Sequence, residues 1–377
     1  MKPAAWLVLV ACSASGPASK EQLGRLLFED PDLSYPTGQA CADCHAARAA
    51  FRDPESEHPQ SMGVVPGRFG ARNAPSLFYA ALVPPRRTDA TGNHIGGLFW
   101  DGRARTLEDQ AAVPLLNPQE MNNPDKASVV TRIRRARYAG MFRELYDAQV
   151  LDDVDRGFAA VLDALASYER SPALRPFASR YDRYLAGDAA LDAAELRGLA
   201  IFEDPARGDC ARCHPSRPAP DGTPPLFTTF GYANLGIPRY ANNMFYVQPP
   251  AANPAGQAFV DHGLAATVLD ASQDGKFRIP TLRNIARTAP YGHNGYFANL
   301  PYMLEFVANR EAGSFDVPTC SRTPGIRSRC AWPVPEVAST IDGRTGRSLL
   351  RADELDDLDA FLETLTDAPD EFFASTR

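Results

Sequence analysis

The chain has 377 residues, long enough for two ordinary domains, and its 44% hydrophobic and 23% charged content excludes a disordered chain and a polytopic membrane protein. A net charge of −7 offers no basic face for phosphate contacts, which excludes nucleic acid as a partner. The 33 prolines and 27 glycines cannot sit inside regular elements, so much of the chain is expected as ordered loop wrapped around something.

From the N-terminus, Lys2 is a minimal positive region and Pro3 to Ala11 a short apolar run, too short for a permanent membrane span. Leu9-Val10-Ala11-Cys12 looks like a bacterial lipobox, in which Cys12 is acylated and becomes the mature N-terminus. Ser13 follows, where a signal for inner-membrane retention carries Asp, so the expectation is a periplasmic protein lipid-anchored to the outer membrane. The alternative is an ordinary cleaved signal with an incidental cysteine. Both readings export the chain.

Leu26-Leu27-Phe28-Glu29-Asp30-Pro31 precedes Cys41-Ala42-Asp43-Cys44-His45. A second copy, Ala200-Ile201-Phe202-Glu203-Asp204-Pro205, precedes Cys210-Ala211-Arg212-Cys213-His214. The two CxxCH motifs start 169 residues apart, which suggests two related domains rather than a solenoid. Between them, Arg132, Arg134, Arg135 and Arg137 read as the solvated face of a helix. Phe158, Val161, Leu162, Leu165 and Tyr168 fall at helical spacing. The junction is expected near Tyr184 to Ala190. Asp192-Ala193-Ala194-Glu195 then resembles a capping box opening a helix through Leu199. Pro215 to Gly275 has no clear periodicity and reads as ordered loop around a cofactor. Cys320 and Cys330 lie in a Pro/Arg-rich stretch, and export permits a disulfide between them, with a stabilisation of about 2–3 kcal/mol. Leu355, Leu358, Phe361, Leu362 and Leu365 make a C-terminal amphipathic helix.

CxxCH is the attachment signature of c-type haem: both thiols add to the porphyrin vinyl groups and the histidine ligates iron. Cys41, Cys44 and His45, and likewise Cys210, Cys213 and His214, are each expected to hold one covalent haem. The alternatives are a zinc site, which needs two further ligands beside each motif, and a redox dithiol, which does not explain a histidine twice.

Further motifs stand in a fixed order. Gly96-Gly97-Leu98-Phe99-Trp100-Asp101-Gly102-Arg103 is followed by Leu107-Glu108-Asp109-Gln110, Pro114 and Asn117-Pro118-Gln119-Glu120-Met121. Phe277-Arg278-Ile279-Pro280-Thr281-Leu282-Arg283-Asn284 and Thr288-Ala289-Pro290-Tyr291-Gly292-His293-Asn294-Gly295 come later. From about Leu23 to Leu365 the chain resembles the bacterial dihaem cytochrome c peroxidase family, which includes MauG. The resemblance implies a mainly α fold: two cytochrome-c-like helical domains with long ordered loops, one c-type haem each. Residues 1–19 would be leader and linker, 20–187 the peroxidatic haem domain and 188–377 the electron-transfer haem domain, whose C-terminal helix could pack back on the first. It implies His45 as proximal ligand of the haem that meets peroxide and Glu120 as distal acid/base, with Gln110 and Pro114 in the same pocket. Trp100 matches the tryptophan between the haems. Asn73 and the carbonyls of Thr288 and Pro290 match the ligands of one calcium ion, a hard cation suited to oxygen donors. On the residues alone, Glu120 could instead cap the next helix, and Trp100 could simply be core.

Two departures stand out. Where the peroxidases carry a distal histidine in Ser-x-Gly-His, this chain reads Ser61-Met62-Gly63-Val64, so the first haem is expected to be open; His58 is the nearby substitute. The distal ligand of the second haem, fourteen residues after the motif histidine, falls on Val307. Met303 ranks first as a replacement, ahead of Met244 and His262. Gly208 stands where MauG carries a surface tryptophan, and His94 has no assigned role. The expected function is a dihaem c-type peroxidase, an oxidoreductase reducing hydrogen peroxide to water with electrons from a small cytochrome c or cupredoxin. The alternatives are MauG-like oxidation of a partner protein and a non-catalytic dihaem electron carrier. A homodimer is compatible with each.

Overall fold

The computed structural model describes residues 18–54, 58–312 and 332–367. Cys12, Cys320 and Cys330 lie outside the described residues, as does the leader. Helix α1 (Lys20–Phe28) is followed by α2 (Cys41–Cys44), a single turn carrying the first motif. Short antiparallel pairs follow: β1 (Gln60–Met62) with β2 (Phe69–Asn73), then β3 (Arg87–Thr88) with β4 (His94–Ile95). Next come α3 (Leu107–Leu116), α4 (Lys126–Arg135), α5 (Ala139–Leu145), α6 (Val154–Glu169) and α7 (Arg180–Leu185). The remainder holds α8 (Ala193–Glu203), β5 (Tyr232–Ala233), α9 (Leu264–Val268), β6 (Phe277–Arg278), α10 (Leu300–Asn309) and α11 (Ala352–Glu363), with β5 and β6 antiparallel. The fold is mainly helical, as expected. Among the described residues no helix is long and apolar enough to cross a membrane.

The expected helices form for local reasons. In α6 one face buries Phe158, Val161 and Leu165, and the Asp153 side chain accepts the Arg156 N–H. The capping box of α8 is complete: Asp192 accepts the Ala194 and Glu195 N–H groups, and Glu195 accepts the Asp192 N–H at 2.7 Å. Helix α8 runs to Glu203, one turn beyond Leu199. In α4 the core face is Val129, Val130 and Ile133. Its arginines are not all merely solvated: Arg132 donates to the Asp32 carbonyl at 3.1 Å and Arg134 to the Leu151 carbonyl at 2.6 Å, so they also pin neighbouring loops.

The sequence repeat is a structural one. Helix α1 crosses α6, and α8 crosses α11. Each crossing is made at a glycine: a Cβ on Gly24 would lie 1.9 Å from the Ala164 carbonyl oxygen, and one on Gly198 would lie 1.9 Å from that of Asp357. Only a missing side chain lets the backbones approach this closely. Gly198→Ala should therefore destabilise the haem-loaded protein by about 1–3 kcal/mol through overpacking, read as a lowered denaturant midpoint. An unchanged midpoint would mean that the crossing relaxes freely.

One hydrophobic cluster runs from Leu23 to Leu174 and a second from Tyr181 to Leu365. Helix α11 packs in the second, against α8 and α10. It also meets the first half: Phe361 packs edge-on against Tyr181, the Thr364 carbonyl accepts the Tyr181 N–H at 3.0 Å, and Asp367, just past the helix, accepts the Tyr79 hydroxyl at 2.7 Å and the Ala178 N–H at 2.9 Å. Most of the apolar face of α11 is spent at the glycine crossing with α8.

The segment 215–275 is the strap foreseen as ordered loop. It follows the second motif yet lies on β2 of the first half. Asn243 donates to the Ala71 carbonyl at 2.8 Å and Gln248 to the Gly67 carbonyl at 3.0 Å. Arg72 forks onto both oxygens of Asp261, each at 2.7 Å, and reaches Asp101 at 2.6 Å.

Candidate haem sites and the cavity that joins them

A cavity of about 680 Å³ is lined by residues of both halves, among them Cys41, Cys44 and His45 from the first motif and Cys213 and His214 from the second. Each motif histidine is fixed in the same way. The His45 Nδ1 lies 3.0 Å from the Phe51 carbonyl and the His214 Nδ1 2.7 Å from that of Phe227. A carbonyl only accepts, so Nδ1 carries the proton and Nε2 is left with a lone pair. Burial lowers both imidazoles, His214 to about 4, which keeps them neutral, the form that ligates iron.

The thiols argue against the other readings of CxxCH. Burial pushes Cys41, Cys44 and Cys210 up to about 12, opposite to the shift a redox dithiol needs. Among the described residues no group of three His, Cys, Asp or Glu side chains could hold a metal ion. The cavity instead fits haem. Arg278 lies on its wall, buried; desolvation lowers its pKa, its hydrogen bond is to the Phe99 carbonyl at 3.3 Å, and no carboxylate pairs with it among the described residues. A buried guanidinium of this kind calls for an anion, and a haem propionate supplies one.

The first chamber gathers Gln110, Pro114, Asn117, Gln119 and Glu120. Helix α3 ends at Asn117, whose side chain accepts the Gln119 N–H at 2.9 Å while its carbonyl accepts the Glu120 N–H at 3.0 Å. This turn presents Glu120, and the Asn117 amide donates to its Oε1 at 2.6 Å. Burial raises the Glu120 carboxyl, against the lowering effects of Asn117 and, more weakly, of Arg103. The helix-capping alternative is filled by Asp125, which accepts the Ser128 N–H at the start of α4. Ser61, Met62 and Gly63 reach the wall; Val64 and His58 do not. Val64 donates its N–H to the Glu120 carbonyl at 2.9 Å, and His58 packs edge-on against Phe69.

Trp100 lies on the wall where the halves meet. Its Nε1 donates to the Asn73 carbonyl at 2.9 Å, and its own carbonyl accepts the Arg278 N–H at 2.8 Å. Asn73, Thr288 and Pro290 come together there, with the Asn73 amide donating to the Pro290 carbonyl at 2.7 Å.

The candidates for the second distal position are not brought to the cavity. Met303 packs against the second hydrophobic cluster, because α10 turns its apolar face to that core. His262 is half exposed and pairs with Asp274 at 2.7 Å, and neither Met244 nor Val307 reaches the wall. His94 sits on β4 beside Thr88. At position 208 a Cβ would meet the Ile201 carbonyl at 2.3 Å, so this backbone bars an aromatic side chain there. Sequence reasoning missed Glu169, whose carboxyl burial raises to about 8, and the pair His293 and Glu336; all three line the cavity. Of these only His293 lies within a motif already in view.

A helical chain with two c-type attachment turns facing one cavity, and a buried carboxyl on one side, defines a dihaem oxidoreductase. Residues 18–190 match the di-haem cytochrome c peroxidase family. The chain is 40% identical to the methylamine utilization protein MauG of Paracoccus denitrificans, covering 92% of this chain and 88% of that one. It is 29% identical to the cytochrome c551 peroxidase of Pseudomonas aeruginosa, covering 79% and 74%. The diheme peroxidase BthA from Burkholderia thailandensis superposes with a TM-score of 0.79 at 32% identity, covering 93% and 86%. The chain belongs to the dihaem cytochrome c peroxidase and MauG family.

Proposed function

We propose that this protein reduces hydrogen peroxide to water, two electrons and two protons per peroxide, with electrons from a small cytochrome c or cupredoxin. The observation that carries the reading is the buried Glu120 carboxyl on the His45 side of the shared cavity. The two haems, held through Cys41, Cys44, Cys210 and Cys213 with His45 and His214 as proximal ligands, supply the oxidation–reduction chemistry. Glu120 takes a proton from peroxide in the pocket and returns it to the departing oxygen. Asn117 fixes the carboxyl, and Gln110 and Pro114 shape the space around it. Trp100, in contact with both halves, connects the two sites for electrons. Asn73 and the carbonyls of Thr288 and Pro290 are proposed to hold calcium between them, the Asn73 amide turning to present its oxygen in place of the N–H that meets the Pro290 carbonyl.

The two haem domains are taken as residues 20–187 and 188–377. The leader supports a periplasmic location with a lipid anchor at Cys12, and export supports the Cys320–Cys330 disulfide. Oxidation of a partner protein is a second reading, supported by the 40% identity to MauG and by the valine at position 64. The lack of room for a side chain at Gly208 weighs against an exit route at that position.

The test is peroxide turnover with reduced cytochrome or cupredoxin, wild type against Glu120→Gln. Turnover that depends on the carboxyl supports the peroxidase; a partner mass gain of one or two oxygens favours protein oxidation; electron transfer without peroxide turnover leaves a carrier. The intact mass should exceed that of the processed chain by two haems, and a one-haem mass would reject the two-site reading.

A further inference from the structure

Behind each motif histidine stands a phenylalanine whose carbonyl holds it, Phe51 for His45 and Phe227 for His214. A run of rings lies between the two. Phe51 packs edge-on against Phe78 with centroids 5.1 Å apart, Phe78 tilts on Tyr79 at 6.2 Å, and Tyr79 meets Phe177 edge-on at 4.9 Å. The Arg283 guanidinium completes the passage, 5.1 Å over the Tyr79 ring, 4.5 Å over Phe177 and 6.0 Å over Phe227. Phenylalanine rings resist oxidation, so Tyr79 is the member of this run that can give up an electron.

Among the described residues the cavity wall carries three readily oxidised rings, Tyr79, Trp100 and Tyr291. Their hydrogen bonds separate them. The Trp100 Nε1–H meets the Asn73 carbonyl at 2.9 Å, and the Tyr291 hydroxyl donates to the Ile285 carbonyl at 2.7 Å. An amide carbonyl accepts a hydrogen bond but does not keep the proton. The Tyr79 hydroxyl instead donates to a carboxylate, Asp367, at 2.7 Å. That carboxylate is fixed by the Asn284 amide at 2.8 Å and the Ala178 N–H at 2.9 Å, and the phenol oxygen accepts the Phe177 N–H at 3.0 Å. Tyr79 is 2% exposed, so bulk water does not compete for the proton. Burial, with the Asp367 charge behind it and Arg283 opposing, pushes the phenol well above the ordinary tyrosine range, so the ring is protonated before it is oxidised. Arg283 is forked onto Asp182 at 2.7 and 2.8 Å. Asp182, Arg283 and Asp367 thus carry one net negative charge beside the intact phenol. Losing an electron from Tyr79 and moving its proton to Asp367 leaves the group neutral, the state that burial favours.

We propose that Tyr79 gives one electron to the peroxide-oxidised haems while its phenolic proton passes to Asp367, leaving a neutral tyrosyl radical between the two proximal histidines. The O–H bond breaks, the haem pair gains the electron and the carboxylate becomes a carboxylic acid. An electron from the donor protein and return of the proton restore the phenol. The proposal deepens the peroxidase reading and rests on it. The test is rapid freeze-quench EPR of the ferric holoprotein mixed with hydrogen peroxide and no donor, with optical spectra of the same samples. The expected result is an organic radical signal that narrows when ring-deuterated tyrosine is incorporated, is lost in Tyr79→Phe and persists in Tyr291→Phe. Asp367→Asn, which accepts a hydrogen bond but cannot keep the proton, should also lose the signal while the resting haem spectra stay unchanged. No radical in the wild type, although peroxide alters the haem spectrum, overturns this proposal alone; an unaltered haem spectrum overturns the peroxidase reading with it. A signal that survives Tyr79→Phe overturns the proposal, as does one that ring-deuterated tyrosine leaves unchanged, even where Tyr79→Phe fails to load haem. A signal that survives Asp367→Asn removes Asp367 as the proton acceptor and overturns the proposal as stated.

Discussion

Replacing Glu120 by Gln should slow the reaction of the resting protein with hydrogen peroxide by about 10²–10⁴, the usual worth of a positioned acid/base, with both haems still attached. The amide keeps the size of the side chain and its bond to Asn117, but it cannot hold or release a proton. The reaction should proceed without prior reduction, because neither His58 nor Val64 reaches the wall of this chamber. Its pH dependence carries a sign. Burial raises the Glu120 carboxyl, so the base form is lost while pH is still above the ordinary glutamate value of about 4.3. The wild-type rate should fall as pH drops through that raised value, and the acid limb should vanish in Glu120→Gln. Stopped-flow rates across pH decide the matter. Equal rates in the two proteins would mean that another group moves the proton.

Arg72→Ala should destabilise the protein by about 3–5 kcal/mol, the largest stability effect expected here. Removing the guanidinium leaves Asp261, with a side chain 8% exposed, as a buried carboxylate with no guanidinium partner, while Asp101 keeps Arg103 at 2.9 Å. The strap around Asp261 should loosen from β2 as a result. The bridge also sets an acid limit. Burial by itself would push the Asp261 carboxyl up, but Arg72 outweighs it and holds the group well below the ordinary aspartate range. A depressed carboxylate stabilises the fold above its unfolded value of about 3.9 and loses that contribution as pH falls towards the folded one. Denaturant midpoints should therefore drop below about pH 4 in the wild type and more shallowly in Arg72→Ala. Identical acid profiles would show that Asp261 is not the linked group.

The helices were legible because their signals are local. The capping box at Asp192 and the apolar face of α6 need only a few neighbouring residues to be recognised. The attachment turns were legible for the same reason, since three residues at fixed spacing carry the chemistry. Glu120 was legible through the motif around it, while the turn that presents it depends on Asn117 bonding to its own neighbours. Less visible were pairings across long stretches of chain. Asp261 gives no sign of Arg72, nor Glu336 of His293, because partners so far apart leave no periodicity. Met303 was misplaced by counting helical turns: the spacing gave the helix but not which face of α10 meets the second core. Arg278 lay in a motif yet was passed over, since an arginine in sequence is most often solvated.

The two glycine crossings also locate the asymmetry between the halves. Gly24 and Gly198 are 174 residues apart, whereas the attachment motifs are 169 apart, so the first half carries five more residues between crossing and motif. That extra length is folded tightly: the Ser34 hydroxyl donates to the Pro31 and Pro36 carbonyls and accepts the Gln39 N–H, and the Gln39 amide reaches the Met62 carbonyl at 2.8 Å. Gln39 and Met62 both border the chamber that holds Glu120. The two copies of the repeat thus differ in path length on the side where the Glu120 chamber lies, and the longer path supplies part of its rim. Excising those five residues would be expected to remodel the rim of that pocket and leave the Gly24 crossing as it is.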